Sequence, residues 1–309
     1  MNSHSLHTLI QIENIYPYSV SCILELSDKR IAAGSRNGTL TICSIDFKNK
    51  NFIQEIKKEL AHDDWIFTLC EISNNRLVCG THDYSISIWK ISKTDLIQIQ
   101  LILDHSEDVC KIISLNANKT IWASCSADCT IKLWNDEDKC KEIKTLKEDN
   151  PIHTMLLHSN NKLITSCDGY LSFWDLISYK IDTKMDNVYT SCFNGLIELP
   201  VSGYIAVARN KKPYSIIIIN PINHTSIQEI KNEEFIIRHS SLYVINNNLF
   251  GYCYRGNVLL ISNENYQIVL KHKLDDEKEL HGFDGLIVIE NKYILGNNNY
   301  NGIGIFEIE

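Results

Sequence analysis

The chain has 309 residues, of which 44% are hydrophobic and 22% charged, and its formal net charge is −8 at pH 7. A single compact core is usually smaller than this, so the length favours a modular chain in which a structural unit repeats. The negative charge provides no overall positive field for a polyphosphate, which argues against nucleic acid as a partner.

The N-terminal segment lacks the basic start and the continuous apolar run of a signal peptide. No stretch of the sequence approaches the roughly 18 apolar residues that a membrane span needs. We therefore expect a protein without a membrane span that is located in the cytoplasm, with the nucleus as an open alternative.

Eleven cysteines are spread along the chain, and most of them lie in runs that are typical of β-strands. We expect reduced core residues, because a small thiol packs as a hydrophobe. The closest pair, Cys125 and Cys129, has C-x3-C spacing and lacks a second pair that would complete a tetrahedral zinc site. The sequence therefore predicts neither a metal site nor a cofactor.

Three segments share one pattern: an acidic turn residue, an alternating run and a tryptophan six positions after the acid. They are HDYSISIWK (82–90), ADCTIKLWN (127–135) and CDGYLSFWD (167–175). We call the tryptophan position the landmark; it is occupied by Trp89, Trp134 and Trp174, at intervals of 45 and 40 residues. The same position continues along the chain with other residue types, at Cys43, Ile219, Ile261 and Phe306.

Seven units result, with landmark strands that end near residues 43, 89, 134, 174, 219, 261 and 306. Each unit also contains an earlier polar turn between two apolar segments, and Asn, Asp and Gly suit the left-handed geometry of a tight hairpin. These turns fall at 27–30, 73–76, 116–119, 159–162, 200–203, 246–248 and 290–292.

An outer alternating segment follows six of the units, which makes four strands per unit. The seventh unit has no such segment after it, whereas residues 5–16 have the same pattern and precede the first unit. We predict that this N-terminal segment pairs with the last unit and closes a ring, which removes the open edge that endangers an all-β protein.

Four-stranded units of this length and pattern resemble those of the WD-repeat family. The resemblance covers nearly the whole chain and is most specific in SISIWK, TIKLWN and LSFWD, while the last three units have no landmark tryptophan. It implies an all-β fold, a seven-bladed β-propeller of four-stranded antiparallel blades, in a single domain over residues 1–309.

The resemblance also implies a buried hydrogen-bonded set in each blade, from the turn acid through a histidine and a hydroxyl to the indole. In the second unit the matching residues are Asp83, His62, Thr81 and Trp89. In the third unit they are Asp128, His105, Ser124 or Ser126, and Trp134, and the fourth unit keeps only Asp168 and Trp174. Metal binding or acid–base catalysis is the alternative, and recurrence in register argues for structure, since catalytic constellations do not repeat.

Propellers of this family act mostly as platforms that bind peptides or domains on the face of the loops before the inner strands. Phe67, five residues after His62, is expected there, and so is Trp65 in the loop AHDDWIF. The alternative for Trp65 is a lid over the adjoining blade, because tryptophan is highly buried on average. The residues just before the turn acids point to the same face and include Arg36, His82 and Tyr254.

A basic turn in the fifth unit, ARNKKPY (208–214), concentrates Arg209, Lys211 and Lys212 in an otherwise acidic protein. It is a candidate clasp for an acidic or phosphorylated peptide. The alternative is an ordinary solvated loop, because charged turns are common and exposed.

The leading hypothesis is a non-enzymatic scaffold that binds proteins or peptides, as a monomer within a larger complex. One alternative is an enzyme at the central mouth, for which only Cys110 and His153 hint at chemistry. Another is phosphoinositide binding, although the paired arginines of such propellers are reduced here to Arg255.

Overall fold

The computed structural model describes residues 6–12, 19–59, 61–136, 139–191, 194–209, 212, 214–231, 241–254, 257–273, 286–298 and 302–308. Over these ranges the chain forms 28 β-strands and no helix. These ranges therefore contain no helix that is long and apolar enough to cross a membrane. The strands form seven antiparallel sheets of four strands each. The predicted all-β fold with seven four-stranded blades is confirmed.

The chain divides into two compact units, and the first of them comprises Ile12–Met155 with Tyr300–Gly302. It contains three complete sheets, each ordered from inner to outer strand as in the sequence. Their strands are β2 (Val20–Glu25), β3 (Ile31–Ser35), β4 (Leu40–Asp46), β5 (Asn51–Lys58), β6 (Ile66–Ile72), β7 (Arg76–Thr81), β8 (Ile86–Ile91), β9 (Leu96–Ile102), β10 (Val109–Ser114), β11 (Ile121–Ser126), β12 (Thr130–Asn135) and β13 (Lys141–Lys147).

The second unit comprises Met1–Gln11, Leu156–Asn299 and Ile303–Glu309, so the boundary falls within β14 (Ile152–Leu157). Strand β14 is the inner strand of the fourth sheet. The other strands are β1 (Leu6–Ile12), β15 (Lys162–Cys167), β16 (Tyr170–Asp175), β17 (Lys180–Asp186), β18 (Leu196–Glu198), β19 (Ile205–Arg209), β20 (Ser215–Asn220), β21 (Thr225–Lys231), β22 (Ser241–Val244), β23 (Leu249–Tyr254), β24 (Asn257–Ser262), β25 (Ile268–Lys273), β26 (Leu286–Ile289), β27 (Tyr293–Asn298) and β28 (Gly302–Ile308).

The N-terminal strand completes the last sheet. The order of that sheet is β1-β28-β27-β26, so β1 supplies the outer strand that the seventh repeat lacks. The predicted pairing is confirmed over Leu6–Ile12. Residues 5 and 13–16 of the predicted segment lie outside the described residues.

A register shift marks the landmark position in each of the six sheets for which the pairing of the landmark strand with the outer strand is described. It lies between Ile88 and Trp89 in the second sheet, and between Ile218 and Ile219 in the fifth, where the tryptophan is missing. The same shift occurs at Cys43, Trp134, Trp174 and Ile261. All seven landmark side chains are buried. The divergent units therefore share the geometry of the tryptophan units, as their spacing predicts.

The cysteines are core residues, as expected. The ten cysteines in the described ranges are all free, and nine of them are buried, with Cys129 intermediate. Burial raises the pKa of the Cys22 and Cys70 thiols to about 12, so both remain protonated and unreactive at neutral pH.

Buried polar contacts join the second and third sheets within Ile12–Met155. A guanidinium nitrogen of Arg76 lies 2.6 Å from a carboxylate oxygen of Asp136, whose side chain is completely buried. Asp136 also accepts a hydrogen bond from Ser73 at 2.6 Å. Because both charges are paired and hydrogen-bonded, the contact joins the sheets without leaving an uncompensated buried ion.

The turn of the first sheet packs closely against the start of the second. Gly38, between β3 and β4, has a φ of 74°, and a Cβ atom built there would lie 1.9 Å from the carbonyl oxygen of His62. The backbone N–H of His62 donates to the carbonyl of Gly38 at 3.2 Å. Only glycine permits this approach, because any side chain would displace the His62 backbone.

Gly38→Ala is expected to lower the free energy of unfolding by more than Gly169→Ala. Both residues have positive φ, but a Cβ atom at Gly169 (φ 98°) meets nothing within 4 Å. Alanine at 169 therefore costs only the left-handed backbone strain, about 1–2 kcal/mol. Alanine at 38 adds the steric clash. Urea unfolding of the two variants measures the difference, and equal losses would contradict the close contact.

Candidate functional site

The second sheet contains the hydrogen-bonded set that links a turn acid to its landmark tryptophan. Nδ1 of His62 lies 3.8 Å from a carboxylate oxygen of Asp83, and Nε2 lies 2.5 Å from the hydroxyl of Ser87. The indole N–H of Trp89 donates to the same hydroxyl at 2.6 Å. Thr81 donates to the Asp83 carboxylate and so holds the acid in place.

The third sheet repeats the set with shorter contacts. Nδ1 of His105 lies 2.8 Å from Asp128, and its Nε2 lies 2.8 Å from the hydroxyl of Ser124. The indole N–H of Trp134 donates to that hydroxyl at 3.0 Å. Thr130 donates to the Asp128 carboxylate at 2.6 Å. Thr81 has the same role in the second sheet, but it lies on the second strand of its sheet, whereas Thr130 lies on the third.

The linking hydroxyl differs from the predicted one in the second sheet. The resemblance predicts that Thr81 bridges the His62 imidazole and the Trp89 indole. In the structure Ser87, on the third strand, forms this bridge. In the third sheet the bridge is Ser124, on the second strand. The residue of the second sheet that corresponds to Ser124 by register is Cys79, which is paired with Ser87 on the adjacent strand. The two strands are adjacent, so a hydroxyl on either one reaches both rings.

The fourth sheet retains part of the set. The indole N–H of Trp174 donates to the hydroxyl of Thr165 at 3.2 Å, and Thr165 corresponds by register to Ser124. Asp168 lies in the exposed turn between β15 and β16. Its predicted role in the hydrogen-bonded set stays a prediction.

The two turn carboxylates are held in their charged form. The contact with His62, together with hydrogen bonds from Ser85 and Thr81, lowers the pKa of Asp83 far below its usual range, despite partial burial. For Asp128, burial raises the pKa, but hydrogen bonds from His105 and Thr130 outweigh it and the net shift is strongly downward. These acids therefore serve as acceptors in the fold, and neither is placed to donate a proton at neutral pH.

A second cluster lies at the ends of the sheets where each inner strand begins. One backbone bond recurs there: the N–H of Arg36 donates to Ser19, that of His82 to Trp65, and that of Ala127 to Asp108, at 2.9–3.0 Å. The bond holds the residue before each turn acid beside the residue that leads into the inner strand. The same surface therefore presents one such pair from each of the first three sheets.

Four of the predicted partner-binding residues meet in this cluster. The guanidinium of Arg36 lies over the Trp65 ring, 4.5 Å from its centroid. Phe67 packs edge-on against Trp65 and His82, with centroid distances of 6.0 and 5.6 Å. Trp65 nevertheless remains 37% exposed. The guanidinium of Arg36 therefore covers the ring in part, and the role of Trp65 as a binding anchor stays a prediction.

Carboxylates flank the cluster. Asp64 lies 3.0 Å from Nδ1 of His82, and Asp108 lies 3.8 Å from its Nε2. Burial raises the pKa of Asp108, Glu107 and Asp64 add to the increase, and His82 opposes it. Glu107, which directly precedes Asp108 in the chain, is exposed. These acids and Tyr84 are not among the residues predicted from the sequence, although the doublets DD (63–64) and ED (107–108) signal the acids.

The remaining predicted partner-binding residues belong by their sequence position to the other compact unit. Arg209 is half buried and pairs with Glu229 at 2.9 Å, so its charge is already compensated. Lys212 is exposed, and Lys211 lies outside the described residues. Tyr254 ends β23, opposite Asn257, and its side chain is not among those described, while Arg255 lies outside the described ranges. These assignments stay predictions.

The geometry offers no support for chemistry at Cys110. Its thiol is buried and lies 3.5 Å from the carbonyl of Asp108, and burial raises its pKa well above the usual value. Such a thiol is a poor nucleophile. Within the described part of the chain, no three His, Cys, Asp or Glu side chains are grouped to hold a metal ion.

Comparison with known proteins agrees with this architecture. The family model "WD domain, G-beta repeat" matches residues 97–135 and 140–175, which end at or just after Trp134 and Trp174. The WD40 β-propeller domain of Doa1, known from a crystal structure, superimposes with a TM-score of 0.77 at 17% identity, covering 98% of this chain and 97% of that one. The fold is therefore that of a WD40 β-propeller.

Three curated proteins are similar in sequence. They are the methylosome protein WDR77 of Xenopus laevis (27% identity over 117 residues), and two Dictyostelium discoideum proteins, the ribosome biogenesis protein WDR12 homolog (29% over 90) and the WD repeat-containing protein 55 homolog (27% over 165). The similarity covers 38%, 29% and 52% of this chain, and 34%, 19% and 38% of those proteins. The chain thus matches well under half of each relative.

Ser124→Ala is expected to destabilise the protein by about 1–3 kcal/mol, because it leaves buried nitrogens of His105 and Trp134 without their shared partner. Ser87→Ala should have a similar effect through His62 and Trp89. Ser159→Ala, on an exposed turn, is the control and should change the free energy of unfolding by less than about 0.5 kcal/mol. Urea denaturation measures all three. A loss for Ser124→Ala no larger than the control's would contradict the bridging role.

Acid should weaken the fold through the two turn carboxylates. Their folded-state pKa values lie below the unfolded value of about 3.9, so the stability they contribute is present above that pH and is lost as the pH falls through the folded-state values. The double variant Asp83→Asn/Asp128→Asn is expected to have a lower free energy of unfolding than the wild type at pH 7. The difference between the two free energies should be smaller below about pH 4. Unfolding free energies across this range test it; a constant difference would refute the assignment.

Proposed function

We propose that this chain, a β-propeller that carries WD40 repeats, is a non-enzymatic scaffold on which other proteins or peptides assemble. Its docking surface is the cluster of Arg36, Trp65, Phe67 and His82. The observation that carries the proposal is the exposure of Trp65, which is 37% accessible. The side chain is at the same time held in place, by the guanidinium of Arg36 over its ring and by the edge-on contact with Phe67. A preorganised, partly exposed tryptophan is a common anchor in protein interfaces.

The position of the cluster within the fold supports this role. The backbone N–H of Arg36 bonds to Ser19 and that of His82 bonds to Trp65, and the strands behind these loops are largely buried. Side chains held in place before binding lose little conformational freedom when a partner docks. The surface therefore has the properties of a docking site without any rearrangement of the sheets.

The histidine–acid pairs favour a scaffold over an enzyme. His62 and His105 each bond to a buried hydroxyl that also serves an indole, so both rings are occupied in holding the sheets. Cys110, the one nucleophile weighed for the central mouth, is buried and protonated. A catalytic centre would need groups that are accessible and free to exchange protons.

A subunit of an intracellular complex is the setting that we propose, in the cytoplasm or the nucleus. Two of the similar proteins are named for the methylosome and for ribosome biogenesis. Those names describe these relatives, and they agree with an assembly role for this chain.

Affinity purification from cell extract tests the docking surface. Tagged wild type is compared with Trp65→Ala and Arg36→Ala, and with Ile177→Ala as a control at a 92% exposed apolar residue far along the chain. Loss of an anchor residue costs about 2 kcal/mol or more, so a partner should be recovered at least about tenfold less with Trp65→Ala. If both variants retained every partner of the control, the surface would be wrongly placed.

A further inference from the structure

Beside Trp65 lies a strongly acidic surface, which we define as Asp64, Trp65, His82, Tyr84, Glu107 and Asp108. We infer that this surface binds a positively charged segment of a protein partner, rich in arginine or lysine. The inference rests on the proposed function and adds the chemical class of the partner.

Among the described residues, the carboxylates of this surface outnumber the cationic side chains beside them, Arg36 and His82. Residues 61–64 (AHDD) and 104–108 (DHSED) bring several carboxylates to the loops of the second and third sheets. The carboxylates of Asp64 and Asp108 share one imidazole, that of His82, whose side chain is 48% exposed, and Asp64 also accepts the backbone N–H of Trp65. The His82 imidazole and the Arg36 guanidinium carry at most two positive charges against the three carboxylates of Asp64, Glu107 and Asp108, so a negative potential remains at the surface.

The titration behaviour of the neighbouring groups reflects the same excess of negative charge. The pKa of Tyr84 is raised, chiefly by the charge of Glu107, with smaller contributions from burial, Asp108 and Asp64. The pKa of Asp108 is raised by burial and then by Glu107 and Asp64. Like charges held close together disfavour ionisation, and a bound cation would relieve that repulsion.

The aromatic rings provide a second means of holding a cation. Trp65 already accepts the guanidinium of Arg36 at 4.5 Å, which shows that the environment of the ring suits a cation. Tyr84 is 40% exposed and lies beside Glu107, with which it interacts. An arginine or lysine of a partner would therefore meet exposed aromatic rings and carboxylates on one surface, which is the pairing that favours cation–π binding.

The links between these residues keep the surface continuous. Asp64 accepts the N–H of Trp65 at 2.7 Å and contacts His82. The carbonyl of Glu107 accepts the hydroxyl of Ser126 at 3.0 Å, and the carbonyl of Asp108 accepts the N–H of Ala127. The carboxylates thus stand on loops whose backbone is anchored, which keeps their Cα positions close to one another.

Fluorescence anisotropy with three labelled peptides tests the inference. The probes are short Gly/Ser peptides that carry several arginines, several lysines or several glutamates at the same positions. The arginine and lysine peptides should bind at least about tenfold more tightly than the glutamate peptide, and their affinity should fall as salt rises. Equal affinity for all three, or no binding of the basic peptides up to about 1 mM, overturns the inference.

Charge-neutral variants locate the binding. Asp64→Asn/Glu107→Gln/Asp108→Asn should weaken binding of the arginine peptide about tenfold, because each substitution keeps a hydrogen-bond acceptor and removes a charge. The control, Glu25→Gln/Glu59→Gln/Glu264→Gln, removes the same net charge elsewhere and should leave affinity within about twofold. Glu107→Gln alone, at an exposed residue, gives a single-site measurement in a variant that should fold normally. Equal effects of the two triple variants would show a long-range charge effect and overturn the site.

The outcome separates this inference from the proposed function. If Trp65→Ala loses a cellular partner while the peptides show no preference for positive charge, the scaffold stands and the partner class is wrong. If the basic peptides bind as expected while Trp65→Ala retains every cellular partner, the acidic surface is real and the docking role of Trp65 is wrong.

Discussion

The β-bulge at the landmark residue is the constraint on which the rest of the structure depends. It recurs at Trp89 and Trp134 and also at Cys43 and Ile261, so it does not depend on the side chain. The extra residue in the outer strand increases the local bend and twist, while the landmark side chain stays buried. A tryptophan is therefore one of several residues that fit, which explains how the later repeats diverge without losing the fold.

Burial of polar groups imposes a second condition on the early sheets. An indole N–H and an imidazole inside a sheet must both find partners, and a single hydroxyl serves both in the second and third sheets. The Arg76–Asp136 ion pair meets the same requirement between sheets. Because these contacts satisfy structural needs, the histidines and acids involved are not available for chemistry.

The loop surface is free of these conditions, and its residues differ from sheet to sheet. One backbone bond holds Arg36, His82 and Ala127 at the same position in three sheets, but the three side chains have nothing in common. Function on such a surface is decided by composition and charge. The basic residue Arg209 is neutralised by Glu229, whereas the carboxylates beside Trp65 share one imidazole.

The sequence by itself determined the seven units, the strand at the N-terminus that completes the last sheet, and the buried landmarks. These features follow from alternation and spacing, which are local properties of a chain. Only the tertiary structure decided that Ser87 replaces Thr81 as the bridge, since hydroxyls on two adjacent strands lie within reach of the same rings. The sequence predicted Arg36, Trp65 and His82 on one face, but only the tertiary structure showed their contacts with one another and with Asp108, because residues distant in sequence meet only when neighbouring sheets pack.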